Sequence, residues 1–190
     1  MSIQARRERE RAERERLIVT AARDLLESEG WDAVTTRRLA EKIEYSQPVL
    51  YSHFKGKSAI MAAVATAGFA DLTAELRAAR TAAGDPRRAL AAVAAAYAGF
   101  AERHPALYEA MFTQPVDLPF GRPDTPPELR QAYEELREAL RPFARDDDLE
   151  TLTETFWSAL HGLLVLRRND RLRHDEHEHR LALLLGRFAT

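Results

Sequence analysis

The stretch TTRRLAEKIEYSQPVLYSHF, residues 35–54, decides the fold of the N-terminal part of this chain. Its apolar residues recur at helical spacing, which predicts helices rather than strands. Thr35 and Ser46 are each placed as the N-cap of a short helix. Pro48 falls in the first turn of the second helix, where its missing N–H costs no hydrogen bond. The stretch therefore predicts two short helices joined by a tight turn.

Each of these helices has an apolar side and a polar side. The residues expected to pack inward, against an apolar stripe over residues 17–26, are Leu39, Ala40, Ile43, Val49, Leu50 and Phe54. The residues expected to be exposed are Arg37, Gln47, Tyr51, Ser52 and His53. This is an unusual density of hydrogen-bond donors for one short helix and its neighbour.

The polar side suits DNA recognition. In a recognition helix the N-terminal side chains reach base edges, while flanking donors bind phosphates. Gln47 is the natural base reader, since its amide can pair with adenine through two hydrogen bonds. A plain helical hairpin with a polar outer face would have the same pattern, so the pattern alone leaves both interpretations open.

Residues 16–63 resemble the DNA-binding head of the TetR family of one-component repressors. The resemblance is carried by TTRRLA at residues 35–40 and by QPVLYSHFKGK at residues 47–57, which follow the family signature almost position for position. The DNA-binding residues expected on this basis are Thr36, Arg37, Ser46, Gln47, Pro48, Val49, Tyr51, Ser52, His53, Lys55 and Lys57. The resemblance implies that Thr36 caps its helix against a phosphate. It implies that Arg37, Gln47 and Pro48 contact bases. It also implies that Tyr51, His53 and Lys57 contact the DNA backbone.

The resemblance also implies partners and a mode of action. Proteins of this family are homodimers whose two heads occupy successive major grooves, about 34–36 Å apart, on a palindromic operator in double-stranded DNA. The most direct expectation is a repressor that a small-molecule effector of unknown identity releases from its operator. Activation instead of repression remains an open alternative.

Two residues in the turn depart from the family pattern. Glu44 stands where the family usually has glycine, and a non-glycine residue with positive φ costs about 1 kcal/mol. Tyr45 replaces a small aliphatic residue, so the packing under the turn must differ. Both departures concern the placement of the second helix.

The first fifteen residues form a charged extension of this head. Arg and Glu alternate from Arg6 to Arg16 at spacings that allow i,i+4 ion pairs. The simpler interpretation is a solvated helical extension. The more specific one places Arg6, Arg7 and Arg9 on DNA phosphates or in a minor groove. Residues 1–57 carry twelve Lys and Arg against ten Asp and Glu, whereas the whole chain has a net charge of −2. The head is therefore mildly basic and the remainder acidic.

The other periodic segments also have helical spacing, which predicts an all-α protein of about nine helices. We expect a helix-turn-helix DNA-binding domain over residues 1–56 and a ligand-sensing and dimerisation domain over residues 57–190. The segment 148–168 is apolar on two faces, and the last helix is also apolar on one side. A helix with two apolar faces must bury both, so these last two helices are expected to form a homodimer interface.

Trp157 precedes the pair His161-Gly162 by four residues, which resembles one C-terminal branch of the TetR family. His161 is either a hydrogen-bonded core histidine or the polar anchor of an apolar ligand pocket. The residues expected to line that pocket are Tyr97, Phe100, Tyr108, Met111, Phe112, Trp157, His161 and Leu164. The same aromatic residues would also serve as ordinary core.

Enzymatic alternatives have little support in the sequence. His174, His177 and His179 lie among acidic residues and could in principle hold a metal, but they lack the i,i+4 spacing that places two histidines on one helical face. A solvated helix start explains the tract more simply. The chain also lacks a glycine-rich phosphate loop and a nucleophile motif, so we expect no catalysis, no cofactor and no bound metal. An all-α ligand-binding or interaction module without DNA binding is the remaining rival.

Composition limits the cellular setting. The absence of cysteine excludes disulfides and thiolate metal sites. The charged N-terminus predicts no signal peptide. The richest apolar stretch, residues 89–101, is mostly alanine, and no apolar run approaches the roughly 18 residues of a membrane span. We therefore expect a cytoplasmic protein without membrane contact.

Overall fold

A computed structural model describes residues 2–189, apart from the side chain of His174, and within that range every regular element is a helix. Its α-helices are α1 (Ile3–Glu29), α2 (Thr36–Lys42), α3 (Gln47–His53), α4 (Lys57–Ala82), α5 (Pro86–Arg103), α6 (Pro105–Phe112), α7 (Pro127–Leu140), α8 (Leu149–Arg168) and α9 (His177–Phe188). Short 3-10 turns occupy Trp31–Ala33, Arg141–Phe143 and His174–Glu176. The all-α prediction with nine helices is confirmed for the described residues.

The helix ends follow local sequence chemistry. The Thr35 hydroxyl accepts the backbone N–H of Arg38 at 3.2 Å, so it caps α2. Asp148 caps α8 in the same way by accepting the N–H of Thr151 at 2.9 Å. Gly30 ends α1 with φ of +87°, a backbone conformation that glycine adopts without strain. Short polar side chains thus satisfy N–H groups that the first turn of a helix leaves unpaired.

The described residues form two compact units that do not follow sequence order. The first unit contains the chain up to Phe69 together with His104–Pro126, and the second contains Ala70–Arg103 and the chain from Pro127 onward. The division falls inside α4. The predicted domain boundary after residue 56 is a statement about function and stays a prediction.

The first unit is built on the second half of α1. Ile18, Ala22 and Leu26 are almost inaccessible, and α2, α3 and α6 all contact this helix. The backbone N–H of Leu107 in α6 donates to the Glu27 carboxylate at 3.3 Å. The three-helix head is therefore supported by a helix, α6, that is distant in sequence.

The second unit places α5, α7, α8 and the second half of α4 around one core. Phe100, Phe156 and Leu160 are fully buried in it. Glu135 of α7 is also buried, and its two carboxylate oxygens accept from Arg77 at 2.7 Å and from Arg80 at 2.8 Å. A buried carboxylate is tolerated when two guanidinium groups compensate its charge, so Glu135 joins α7 to α4.

One expectation from composition was wrong. The helix Lys57–Ala82 is long and apolar enough, by length and composition, to cross a membrane, so residues 89–101 are not the most apolar stretch. Half of its apolar window is buried inside the structure, and core helices of soluble proteins have the same composition. One such helix is weak evidence for a membrane span.

Candidate functional site

The turn between α2 and α3 has the conformation that the sequence predicts. Glu44 has φ of +56°, in the left-handed region that favours glycine. The N–H of the next residue, Tyr45, donates to the carbonyl of Ala40 at 2.9 Å and closes the turn. Glutamate therefore adopts a conformation that its Cβ disfavours, and the turn sets the start of α3.

The inward face of the two helices is smaller than predicted. Leu39, Ala40 and Leu50 are buried, as expected, and Ile43 and Phe54 are partly buried. Val49 is 37% exposed, so the prediction that it packs inward was wrong. Val49 is one residue before buried Leu50, and neighbouring residues of a helix point in different directions. Its exposure leaves an apolar side chain beside the polar face of α3.

The first turns of α3 present a continuous exposed face. Ser46, Gln47, Pro48 and Ser52 are exposed, and Tyr51 keeps 53% of its surface accessible. Gln47 is the first residue of α3, where a side chain projects beyond the end of the helix. This is the region from which a recognition helix contacts base edges.

Tyr51 joins α3 to the start of α2. Its hydroxyl lies 3.5 Å from the hydroxyl of Thr36, the first residue of α2. Both groups can donate to or accept from a third partner at the surface. Two of the residues that the resemblance assigns to the DNA backbone, Thr36 and Tyr51, are therefore adjacent.

The arginines of α2 already have acidic neighbours. Arg37 pairs with Glu41 at 3.0 Å, with 79% of the arginine side chain exposed, and Arg38 pairs with Glu29 of α1 at 2.7 Å. Exposed pairs of this kind contribute little free energy, so either arginine can exchange its carboxylate for a phosphate at small cost.

His53 is not exposed, and that prediction was wrong. Only 7% of its side chain is accessible, because the ring faces α1, where Nδ1 lies 3.4 Å from a carboxylate oxygen of Glu15. Glu15 also accepts from the Arg11 guanidinium at 2.9 Å. That hydrogen bond, with a smaller contribution from His53, holds the pKa of Glu15 below its usual value. His53 therefore attaches the last turn of α3 to α1.

Lys57 also has a partner inside the protein. Its ammonium group donates to the carbonyl oxygen of Trp31 at 2.7 Å and lies 4.8 Å above the centre of the indole ring. Lys55 is exposed. Sequence reasoning did not identify Glu15 or Trp31, since no local spacing links either residue to the helix-turn-helix motif.

These features define a helix-turn-helix DNA-binding protein: two short helices, a tight turn and an exposed polar face on the second helix. Comparison with known families gives the particular family. Residues 18–64 match the model described as "Bacterial regulatory proteins, tetR family", and residues 90–187 match the one described as "Tetracyclin repressor-like, C-terminal domain". The chain belongs to the TetR family of DNA-binding transcriptional regulators.

Relatives in sequence agree with this assignment. An uncharacterized HTH-type transcriptional regulator, Rv0681, from Mycobacterium tuberculosis is 32% identical over 78% of this chain and 67% of its own length. The class A tetracycline repressor of Escherichia coli is 46% identical, over 28% of this chain and 25% of its own length. The sequence match to that repressor therefore spans about a quarter of each chain.

Solved structures share the whole fold. A protein of unknown function from Rhodococcus sp. RHA1 has a TM-score of 0.74 at 22% identity, covering 92% of both chains. A TetR from Streptomyces coelicolor, SCO7222, has a TM-score of 0.68 at 24% identity, covering 90% of this chain and 95% of its own. Identities this low establish the arrangement of helices and no more.

The residues predicted for a ligand pocket are divided between the two units. Tyr108, Met111 and Phe112 belong to the first, where the rings of Phe112 and Phe69 meet edge to face at 5.2 Å. Tyr108 and Met111 are almost inaccessible. The other five residues, Tyr97, Phe100, Trp157, His161 and Leu164, belong to the second unit.

Three of those five form a hydrogen-bonded cluster. The Trp157 indole N–H donates to the Tyr97 hydroxyl at 2.9 Å, and that hydroxyl lies 3.5 Å from Nδ1 of His161. Tyr97 is 1% exposed, whereas Trp157 and His161 are partly exposed. Burial lowers the pKa of His161 and favours the neutral ring. The two alternatives for His161, core residue and ligand anchor, both fit this position.

The histidine tract that runs from His174 into the first turn of α9 is tested only in part. Among the described side chains no group of three His, Cys, Asp or Glu residues is close enough to hold a metal ion. The side chain of His174 lies outside the described residues, so this search does not cover it.

Proposed function

We propose that this TetR-family regulator is a cytoplasmic repressor that binds a palindromic operator as a homodimer and releases it when a small-molecule effector binds. The observation that carries the DNA-binding part is the exposed face of α3, with Gln47 at its start and Tyr51 one turn further on. The core beneath this face, which includes Leu50, keeps α3 in place without using any of these polar groups.

Base reading is assigned to the N-terminal end of α3. Gln47 is exposed and can form two hydrogen bonds to one adenine, and Arg37 can reach a base or a phosphate once Glu41 is displaced. Tyr51 and Thr36 are assigned to one phosphate, because their hydroxyls lie 3.5 Å apart. His53 and Lys57 are assigned supporting roles, since each already has a partner within the protein.

Dimerisation is assigned to α8 and α9. The buried residues of α8 lie on one face, at Thr153, Phe156, Leu160 and Leu164, whereas α9 buries none of its residues within one chain. Leu166 of α8 and Leu183 of α9 remain 45% and 55% exposed. A Cβ added to Gly162 would meet no atom within 4 Å, so a second helix has room to approach there. An apolar helix that stays partly exposed in the monomer is typical of a dimer interface.

The effector site is assigned to the second unit, around Tyr97, Trp157 and His161. The partly exposed imidazole and indole offer polar contacts beside buried aromatic rings, and such a mixture is typical of small-molecule sites. Release of DNA requires only that the effector binds one conformation of the dimer more tightly than another. The chemistry of the cluster favours an aromatic or hydrophobic effector with one polar group.

An interaction module without DNA binding is the rival proposal. It would predict loss of the polar residues on α3, whereas Gln47, Tyr51 and Ser52 are all present and exposed. Regulators of this family are typically not enzymes, and we infer that this chain has no catalytic activity.

The test is selection of DNA by the purified chain from a random duplex library at a stated salt concentration. We expect enrichment of a palindrome whose half-sites lie one turn or one and a half turns apart. Gln47→Ala and Tyr51→Ala should both reduce the enrichment of this palindrome. If no sequence is enriched and both variants bind DNA like the parent chain, the proposal fails.

A further inference from the structure

The first half of α1 extends beyond the packed part of the first unit. Ile18 is the first buried residue of the helix, and residues 6–14 are exposed on all sides. The helix nevertheless begins at Ile3 and is unbroken, so it extends about 22 Å beyond its first buried turn. A segment this long, helical and highly charged presents a defined surface.

Five of the six arginines of this segment occupy two opposite faces. Arg7, Arg11 and Arg14 are spaced by four and three residues, and the same spacing leads on to buried Ile18, so these four share one face. Arg9 and Arg16 each lie about 200° around the helix from Arg7 and Arg14, on the other side. From Ile18 onward this face of α1 is apolar and buried. Before Ile18 the same face bears Arg7, Arg11 and Arg14, which we call the arginine stripe.

A contact with α3 shows which way this face points. Glu15 follows Arg14 and lies beside Arg11 on the helix, and its carboxylate contacts both Arg11 and His53, the last residue of α3. The face that bears Arg7, Arg11 and Arg14 is therefore on the side of α1 that meets the recognition helix. No ion pair involves Arg7 or Arg14 among residues 2–189, whereas Arg11 is held by Glu15.

We propose that Arg7, Arg11 and Arg14 form a second DNA contact, which binds backbone phosphates next to the half-site that α3 reads. Charge complementarity argues for DNA, since the stripe is cationic and adjoins the helix that meets the duplex. Glu15 has a positioning role, because it joins the stripe to the end of α3 through His53. The sequence alone favoured a merely solvated extension and, as its alternative, placed Arg6, Arg7 and Arg9 on DNA. The proposal keeps Arg7 and replaces Arg6 and Arg9 with Arg11 and Arg14.

This inference rests on DNA binding by the head, and its test separates it from base reading by α3. The variant Arg7→Gln/Arg14→Gln removes two charges from the stripe. The matched control, Arg9→Gln/Arg16→Gln, removes the same charge from the opposite face of the same helix. Full-length proteins are titrated with the selected operator and with a scrambled duplex at several salt concentrations, and circular dichroism checks that the helix content is retained.

We expect the stripe variant to bind both duplexes more weakly. The slope of log Kd against log salt should fall by about 1.8 per bound chain, because two phosphate contacts are lost. Between roughly 50 and 200 mM salt, the variant should therefore lose about tenfold less affinity than the parent chain does. The ratio of operator to scrambled affinity should stay at the parent value. The control variant should keep the parent slope. Gln47→Ala should do the reverse, by lowering the ratio and keeping the slope, so failure of base reading is seen separately.

Two outcomes overturn the inference. Equal slope changes in the stripe and control variants would mean that net charge alone matters. An unchanged slope in the stripe variant, together with loss of binding to vesicles of anionic lipid, would assign the stripe to a membrane surface instead.

Discussion

The side chains of Gln47, Tyr51 and Ser52 on α3 are exposed and have few partners, whereas the polar side chains between α5 and α8 satisfy one another. Tyr51 is 53% exposed, and its one hydrogen-bond neighbour across the head is Thr36. Tyr97 is 1% exposed and lies within hydrogen-bonding distance of both Trp157 and His161. A surface that must bind a polymer from solution keeps its donors available, while a buried cluster must pair them. Substitutions in the two regions should therefore separate function from stability.

The largest effect is expected at the exposed apolar residues of the second unit. Leu183→Glu should place a charge in the proposed α8–α9 dimer interface and raise the dimer dissociation constant by at least about 100-fold, since burying an unpaired charge costs several kcal/mol. Sedimentation velocity measures the effect. Leu17→Glu is the control, because Leu17 is also partly exposed, at 44%, but lies on α1. Dimers of unchanged stability in Leu183→Glu would show that these helices are not the interface.

The next effect should separate the buried cluster from the DNA-binding face. Trp157→Phe removes the donor to the Tyr97 hydroxyl and should lower the free energy of unfolding by about 1–2 kcal/mol in urea titrations. Tyr97→Phe removes the other partner, so the double variant should cost less than the sum of the two single changes. Additive losses would mean that this hydrogen bond contributes nothing to stability. Neither change should alter operator affinity in the absence of effector.

A smaller, stabilising effect is expected in the turn of the head. Glu44 has φ of +56°, and Glu44→Gly removes the backbone strain of that conformation. The change should raise the free energy of unfolding of the first unit by roughly 1 kcal/mol. Asp170→Gly provides the matched change in the second unit, where φ is +53°. Aspartate tolerates this conformation better than glutamate does, so the gain there should be smaller. Thermal unfolding compares the two, and a loss of stability in Glu44→Gly would show that its side chain has a stabilising contact.

The smallest effect is a pH dependence from the cluster. Burial lowers the pKa of His161 below its ordinary value of 6.5, so the folded chain binds this proton less readily than the unfolded chain does. The contribution to stability is fully present above about pH 6.5. It is lost as the pH falls below 6.5 and through the lowered pKa of His161 in the folded chain. Urea titrations at several pH values should show this loss, and His161→Asn should reduce it. The same slope in His161→Asn would place the titrating group elsewhere.

The same contrast explains what the sequence could predict. The helices, the cap at Thr35 and the strained turn at Glu44 follow from residues within a few positions of one another, and all were confirmed. Ser46 lies at the N-cap position of α3 as predicted, but its side chain makes no capping hydrogen bond. The partner of His53 is 38 positions away in the chain, and that of Lys57 is 26 positions away. Pairings of that kind depend on how helices pack, which local periodicity does not encode. For the same reason Val49, with an apolar side chain, was wrongly placed in the core.

We propose that α3 reads base sequence through Gln47. The direct measurement is the ratio of affinities for the selected palindrome and a shuffled duplex, taken for the parent chain and for Gln47→Ala. Gln131→Ala is the control, because it makes the same change at an exposed position of α7. We expect Gln47→Ala to lower the ratio by about tenfold or more, because one bidentate base contact is lost, and Gln131→Ala to leave it unchanged. A ratio that Gln47→Ala does not alter would show that Gln47 does not read bases.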